Sequence, residues 1–235
     1  DKQRGKSGKF PVWMQGRETL LQIYEILNGH FGNLRWWPAD SPFEVAVGAI
    51  LTQNTTWQSV ERAISNLKSQ NLLDQKKLST IPDDTLAGLI RPSGYYRVKT
   101  RRLKAFLTFL NDEFHGNLDR LFSEDLWPLR KKLLTVKGIG EETADSILLY
   151  AGQKPVFVVD AYTRRILERH RIIAGHPSYA DIQKLFMDGL PPSVPLFNQY
   201  HALLVNTGKQ FCLKKKPLCS QCPLSASGEV LLLNV

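Results

Sequence analysis

Apolar residues in this chain return every three or four positions, segment after segment, and that period points to amphipathic helices. In RETLLQIYEILNGHFG, Leu20, Tyr24, Leu27 and Phe31 fall on one helical face. RRLKAFLTFLNDEF repeats the stripe with Leu103, Phe106, Leu107, Leu110 and Phe114, and ADSILLYA carries it through Ala144, Ile147, Leu148 and Ala151. Start signals accompany the stripes. Ser41, Pro42 and Glu44 open SPFEVAVGAIL as a capping box with proline at the first helical position, and Thr55 with Gln58 gives a similar signal ahead of Val60, Ile64 and Leu67. Only PVFVV, from Pro155, reads as extended, and one such run builds no sheet. The expected fold class is therefore all-α, with roughly ten short helices joined by short loops.

Charge narrows the partners. Lys and Arg number 31 against 22 Asp and Glu, a net +9, which makes a polyanion the first partner to consider. No apolar run approaches the roughly 18 residues of a membrane span. The opening DKQRGKSGKF has no apolar core of the signal-peptide kind, and residues 1–17 read as a flexible basic leader. The expected location is the cytoplasm, at the nucleoid. All three cysteines, Cys212, Cys219 and Cys222, fall in one short stretch, which argues for a metal or cluster in a reducing compartment over a disulfide framework. The clearest break between helices lies at GQKPVF, where Gly152 and Pro155 punctuate the chain.

One turn carries more than structure. In TVKGIGEETAD, Gly138 and Gly140 are expected to take positive φ and to let the backbone approach a phosphate, while the following helix aims its first N–H groups at the same anion. Dinucleotide-binding and P-loop readings fail because no strand flanks the turn. Two carboxylates, Glu141 and Glu142, follow directly, and acidic side chains in a first helical turn suit the helix dipole.

Taken together, VKGIGEETADSILLYAGQKPVFVVDAYTRRIL, FEVAVGAILTQNT and SGYYRVKTRRL resemble the endonuclease III superfamily of DNA glycosylases, with its helix–hairpin–helix and a downstream aspartate. The resemblance implies two helical domains flanking a DNA groove. One would be a six-helix barrel over 34–151; the other would combine 18–33 with 152–235, including a C-terminal cysteine loop. It implies a monomer acting on double-stranded DNA that contains a damaged base. In bifunctional members a lysine two positions after the second hairpin glycine forms a Schiff base with the sugar. Glu142 stands there in this chain and cannot form that imine, so the expectation is a monofunctional glycosylase.

Asp160 opens the helix after PVFVV. An aspartate there reads as an N-cap; the resemblance makes it also the catalytic carboxylate that steadies an oxocarbenium-like sugar or orients a water. Trp36, Trp37 and Pro38 precede the barrel helix and Trp57 follows QNTT. These are either core aromatics or stacking walls for an extruded base, and the arrangement resembles the 3-methyladenine glycosylase branch. An N3- or N7-alkylated purine is cationic and leaves readily, so aromatic walls and one carboxylate suffice. Gln53 reads either as a helix-end residue or as the plug that fills the vacated stack.

Arg97, Lys99, Arg101, Arg102 and Lys104, together with Lys137, Gly138, Ile139 and Gly140, are the expected DNA contacts. The cysteine spacing resembles the superfamily's [4Fe–4S] motif, but its fourth position holds Gly228. A [4Fe–4S] cluster with a non-cysteine fourth ligand such as water, Ser225 or Ser227 is the expected cofactor, with a zinc on three thiolates plus His201 and an empty loop as the alternatives. The rivals in function are a bifunctional endonuclease III acting on oxidised pyrimidines, a mismatch glycosylase, and a non-catalytic DNA-structure binder.

Overall fold

The computed structural model describes residues 12–34 and 36–226, the side chains from Arg17 to Ser225. In chain order the helices are α1 (Val12–Phe31), α2 (Pro42–Leu51), α3 (Trp57–Ser69), α4 (Gln75–Thr80), α5 (Asp83–Leu89), α6 (Tyr96–Phe114) and α7 (Leu118–Ser123). Then follow α8 (Leu126–Thr135), α9 (Glu141–Ser146), α10 (Ala161–Arg169), α11 (Tyr179–Gly189), α12 (Val194–Gln210) and α13 (Pro223–Ala226). No strand occurs among the described residues. Residues 1–11 of the expected leader lie outside the description, whereas its remainder from Val12 is already helical.

The chain divides into two compact units. One is Trp36–Val158; the other joins the segment up to Arg35 with Val159 onward. Within the first, α2 forms the central helix, buried from Phe43 through Leu51. Ser41 Oγ accepts from Glu44 N–H at 3.1 Å as a capping box requires. The returning carboxylate bonds Asp40 N–H, one residue earlier than the pattern implies. The cap of α3 is Thr56, not Thr55, and its side chain makes no capping bond. PVFVV forms neither helix nor strand; Val156 N–H closes a tight turn onto Lys154 O at 2.8 Å, and the run is buried from Val156 to Val159.

Lys99 stands out in this unit because it is a buried cation, 1% exposed. Its ammonium donates to Leu51 O at 2.8 Å and Ser93 O at 2.6 Å, closing the end of α2 against the turn before α6. Lys99→Met should lower stability by about 2 kcal/mol or more, because each buried carbonyl left without a donor costs about 1–3 kcal/mol. Burial, followed by the charge of Arg102, lowers the Lys99 pKa to about 8. Above that pH the folded chain has released a proton that the unfolded chain holds until about 10.4. Stability of the native chain relative to Lys99→Met should therefore rise with pH from about 8 to 10, as urea unfolding at stepped pH would show.

In the second unit α1 packs on α11 and α12, with Leu20, Ile23 and Leu27 fully buried. Tyr200 on α12 donates its hydroxyl to Leu20 O at 2.8 Å, a buried bond that fixes α1 along α12.

Candidate functional site

In the Trp36–Val158 unit, α8 ends at Thr135 and the chain turns through Val136–Gly140 into α9. Gly138 sits at φ +91°, and a Cβ there would run into the Arg102 side chain, so backbone and neighbour both require glycine. Gly140 departs from the sequence expectation. At φ −94°, ψ −179° it is extended, and a Cβ would meet nothing within 4 Å. Nothing inside the protein demands glycine at 140, so its bare face is turned to whatever approaches from outside. Ile139 is buried and its N–H bonds Val136 O at 3.0 Å, so its side chain is not a contact. Lys137 is exposed beside the turn.

Two networks hold this hairpin rigid. Arg130 on α8 forks onto the fully buried Asp145 of α9 at 2.7 and 3.0 Å, and reaches Glu141 at 3.5 Å. Glu141 therefore belongs to the brace between the two helices, while Glu142 is exposed. On the other side, Gln53 donates to Gly138 O at 3.0 Å and Thr143 Oγ1 at 2.9 Å and accepts from Arg102. The side chain read from the sequence as either a helix-end residue or a stack-filling plug is bonded to the hairpin.

The same unit gathers Trp36, Trp37 and Trp57 with Tyr150. Ring centroids lie 5.8 Å apart for Trp36–Trp37, 6.1 Å for Trp36–Trp57, 4.9 Å for Trp37–Trp57 and 5.0 Å for Trp37–Tyr150. Trp37 lies edge-on to Gly48 of α2, where a Cβ would stand 3.4 Å from the indole. Trp57 Nε1 donates to Glu61 at 2.7 Å, fixing that ring. Pro38 is exposed beside the group. Sequence reasoning missed Tyr150, which a π-helical turn over Ile147–Ala151 brings onto Trp37. An aromatic in the stripe after the hairpin was the available signal.

The basic segment splits by role. Lys99 is buried and Lys104 donates to Ser79 O and Ile81 O, so neither reaches a phosphate as expected from the sequence. Arg102 is tied to Gln53. Arg97 and Arg101 are exposed; Arg97 makes a 3.8 Å contact with Asp84, an exposed pair worth little. Next to them stands Tyr95, part of the SGYYRVKTRRL resemblance but not among the expected site residues. It is 71% exposed, held at φ 47° directly after Gly94. Behind it, Tyr96 is flanked by Arg91 and Arg97 at 5.9 and 6.0 Å.

In the other unit, Asp160 caps α10: its Oδ1 accepts from Thr163 N–H at 2.7 Å. Its Oδ2 lies 3.6 Å from His201 Nε2 on α12, with side-chain exposures of 11% and 6%. At that separation the imidazole faces the carboxylate from just beyond hydrogen-bond reach. Burial pushes the Asp160 carboxyl up, but His201 and the Thr163 bonds outweigh it and hold the pKa below the usual carboxylate value. Asp160 is thus ionised at neutral pH.

Placed against Asp160, His201 is not a partner of the cysteines. Cys212 and Cys222 are buried, Cys219 is exposed, and all three are free thiols. No group of three or more His, Cys, Asp or Glu among the described residues is disposed to hold a metal, and Ser227 and Gly228 lie outside the described residues. The described donors do not by themselves fit a four-thiolate cluster. What visibly ties the loop is a pair of guanidinium groups on α10. Arg165 donates to Cys212 O at 2.8 Å and Gly208 O at 3.2 Å. Arg169 donates to Cys212 Sγ at 3.2 Å, Leu213 O at 2.7 Å and Lys214 O at 3.0 Å.

An all-helical chain with a glycine hairpin, and with an ionised aspartate capping the helix after the buried apolar run, has the makings of a helix–hairpin–helix DNA-repair protein. It belongs to that family: the model of the HhH-GPD superfamily of base excision DNA repair proteins matches residues 47–192. The protein is a DNA glycosylase of this superfamily. A protein of Methanocaldococcus jannaschii, provisionally named a DNA repair glycosylase, is 45% identical over 88% of this chain and 94% of its own. An endonuclease III of Sulfolobus acidocaldarius is 30% identical over 82% of this chain and 84% of its own. Among solved structures, the 3-methyladenine DNA glycosylase of H. pylori, bound to 1,N6-ethenoadenine, superimposes with a TM-score of 0.71 at 28% identity, covering 83% of this chain and 97% of that one. A non-covalent endonuclease III–DNA complex shares the fold, with a TM-score of 0.75 at 21% identity over 88% and 92% of the two chains. No described helix is long and apolar enough to cross a membrane.

Proposed function

We propose that the protein is a monofunctional DNA glycosylase that releases alkylated purines, 3-methyladenine foremost and 7-methylguanine next, leaving an abasic site in an unbroken strand. The observation that carries this reading is the group of Trp36, Trp37, Trp57 and Tyr150 in the unit that also holds the hairpin. A cluster of three indoles and a phenol offers few hydrogen bonds to select a neutral base. It favours a cationic one by about 0.5–2 kcal/mol through cation–π attraction. The likeness to the H. pylori 3-methyladenine glycosylase supports the same choice.

Each part then has a task. The hairpin backbone around Gly138 and Gly140 and the first turn of α9 bind a phosphate, with Lys137, Arg97 and Arg101 adding charge along a double-stranded substrate. Asp160 supplies a fixed negative charge as the glycosidic bond breaks and positive charge builds on the sugar. Water completes the reaction, since Glu142 has no amine to capture the sugar, the ammonium of Lys99 is buried against two carbonyls, and the exposed Lys137 does not occupy the matching position. The enzyme works as a monomer in the compartment that holds the genome.

Tyr95 is the side chain best placed to fill a vacated base stack, because it presents an exposed ring on a backbone already fixed in its turn. Stacking a base on an aromatic ring contributes about 1–3 kcal/mol. Tyr95→Ala should therefore weaken binding to a duplex carrying a tetrahydrofuran abasic analogue by about fivefold or more, with Tyr95→Phe close to wild type; fluorescence anisotropy measures both.

The test of the whole reading is a panel of damaged oligonucleotides scored separately for free base and for strand nicking. Release of 3-methyladenine without nicking, and without borohydride-trapped protein, is the expected result. Nicking and trapping on oxidised pyrimidines would replace it with an endonuclease III-like activity, and no release from any duplex would leave a DNA-structure binder.

A further inference from the structure

We infer that His201 is a positioning residue for Asp160, a buried imidazole that holds the carboxylate in its working orientation. This rests on the reading of Asp160 as the reacting carboxylate. α10 and α12 run side by side in the same direction: Asp160 lies beside His201, Tyr162 against Gly208, and Arg165 reaches Gly208 O and Cys212 O. Close approach is possible because residue 208 is glycine, since a Cβ there would collide with the Tyr162 ring. His201 and Gly208 are seven residues apart, two helical turns, so the same face of α12 carries both. Tight packing at one end of that face thus sets the imidazole against the carboxylate at the other.

The pairing has a chemical consequence. Oδ1 of Asp160 is held by Thr163 N–H, which fixes one oxygen but leaves the rotation and charge of the other open. Nε2 of His201, 3.6 Å from Oδ2, supplies the second restraint. A carboxylate this buried would otherwise tend towards its neutral form, and a neutral acid offers no field to an oxocarbenium-like sugar. His201 itself is 5% exposed and so acts through Asp160 instead of meeting the substrate directly.

Two substitutions separate positioning from packing. His201→Leu keeps bulk and removes the N–H; His201→Gln keeps a donor of similar reach. Single-turnover base release is measured on the oligonucleotide that the damaged-base panel identifies, alongside affinity for the tetrahydrofuran duplex and the unfolding midpoint. The expected result is a fall of about ten- to a hundredfold in rate for His201→Leu, an unchanged affinity, and recovery of most of the rate in His201→Gln. In an Asp160→Asn background His201→Leu should have no further effect, because the imidazole acts only through the carboxylate.

A rate within twofold of wild type for a folded His201→Leu would overturn the inference. So would an equal fall in rate and affinity, or an undiminished effect in the Asp160→Asn background. If His201→Leu does not fold, His201→Gln decides alone, near-wild-type rate and affinity supporting the inference and a lost rate overturning it. Full activity in Asp160→Asn itself would instead remove the underlying reading of Asp160.

Discussion

Asp160→Asn should lower the rate of base release by about a hundredfold to ten-thousandfold while leaving affinity for abasic-analogue DNA within about twofold of wild type. Carboxamide and carboxylate have nearly the same shape, and asparagine caps helices as well as aspartate does. The Oδ1 bond from Thr163 N–H survives the exchange, so α10 keeps its start and the unfolding midpoint should hold. What disappears is a full negative charge in a nearly water-free setting, where its field is weakly screened. Glycosidic cleavage places positive charge on the sugar in the transition state far more than in the ground state, so the loss appears in the rate and not in binding. Single-turnover base release and equilibrium anisotropy on the same preparation separate the two. A variant that cleaves at the native rate would remove Asp160 from the chemistry and restrict it to its role as a cap.

How far such a reading could be made from the sequence depended on whether the deciding interaction was local. The helical class followed from stripes such as Leu103, Phe106, Leu107 and Leu110, whose spacing alone specifies a buried face. Capping by Asp160 and Ser41 was equally local, since the bonded N–H groups lie three residues downstream. The group formed by Trp36, Trp37 and Trp57 could be anticipated as neighbours around one helix start. Tyr150 could not, because it arrives from the far side of the hairpin through a π-helical turn.

Charge was the least legible property. Lys99 and Lys104 sit in an apparently exposed basic run, yet their ammonium groups close backbone carbonyls at Leu51, Ser93, Ser79 and Ile81. Residue type gives no warning of that, because a lysine stem is apolar enough to pass through a core if its tip finds acceptors. His201 was read towards the cysteines by its chemistry as a ligand, whereas the register of α12 on α10 sets it at Asp160. Glycine 140 shows the reverse case: its type was noted, but its backbone is extended, and its lack of a side chain makes sense only towards something outside the chain.

Arg130→Ala should destabilise the protein by about 3–5 kcal/mol, the usual cost of removing one member of a buried ion pair. Asp145 is wholly buried, and the fork from Arg130 at 2.7 and 3.0 Å gives its carboxylate both a counter-charge and directed donors. Deleting the guanidinium leaves that charge in a poorly solvating interior, which costs more than the pair itself gains. For this reason the double change Arg130→Met with Asp145→Leu should recover much of the lost stability, an outcome that a simple count of salt bridges would not anticipate. The recovery should stop short of function. Glu141 loses its partner as well, and α8 and α9 lose the directed bonds that fix the angle of the turn at Gly138–Gly140. Urea unfolding of the two variants and the native chain, set beside the salt dependence of their DNA binding, would therefore show stability returning in the double variant while the number of phosphates it neutralises stays reduced. If stability and phosphate contacts returned together, the fork would be packing alone, and the geometry of the hairpin would have to be held by the Gln53 network on its other side.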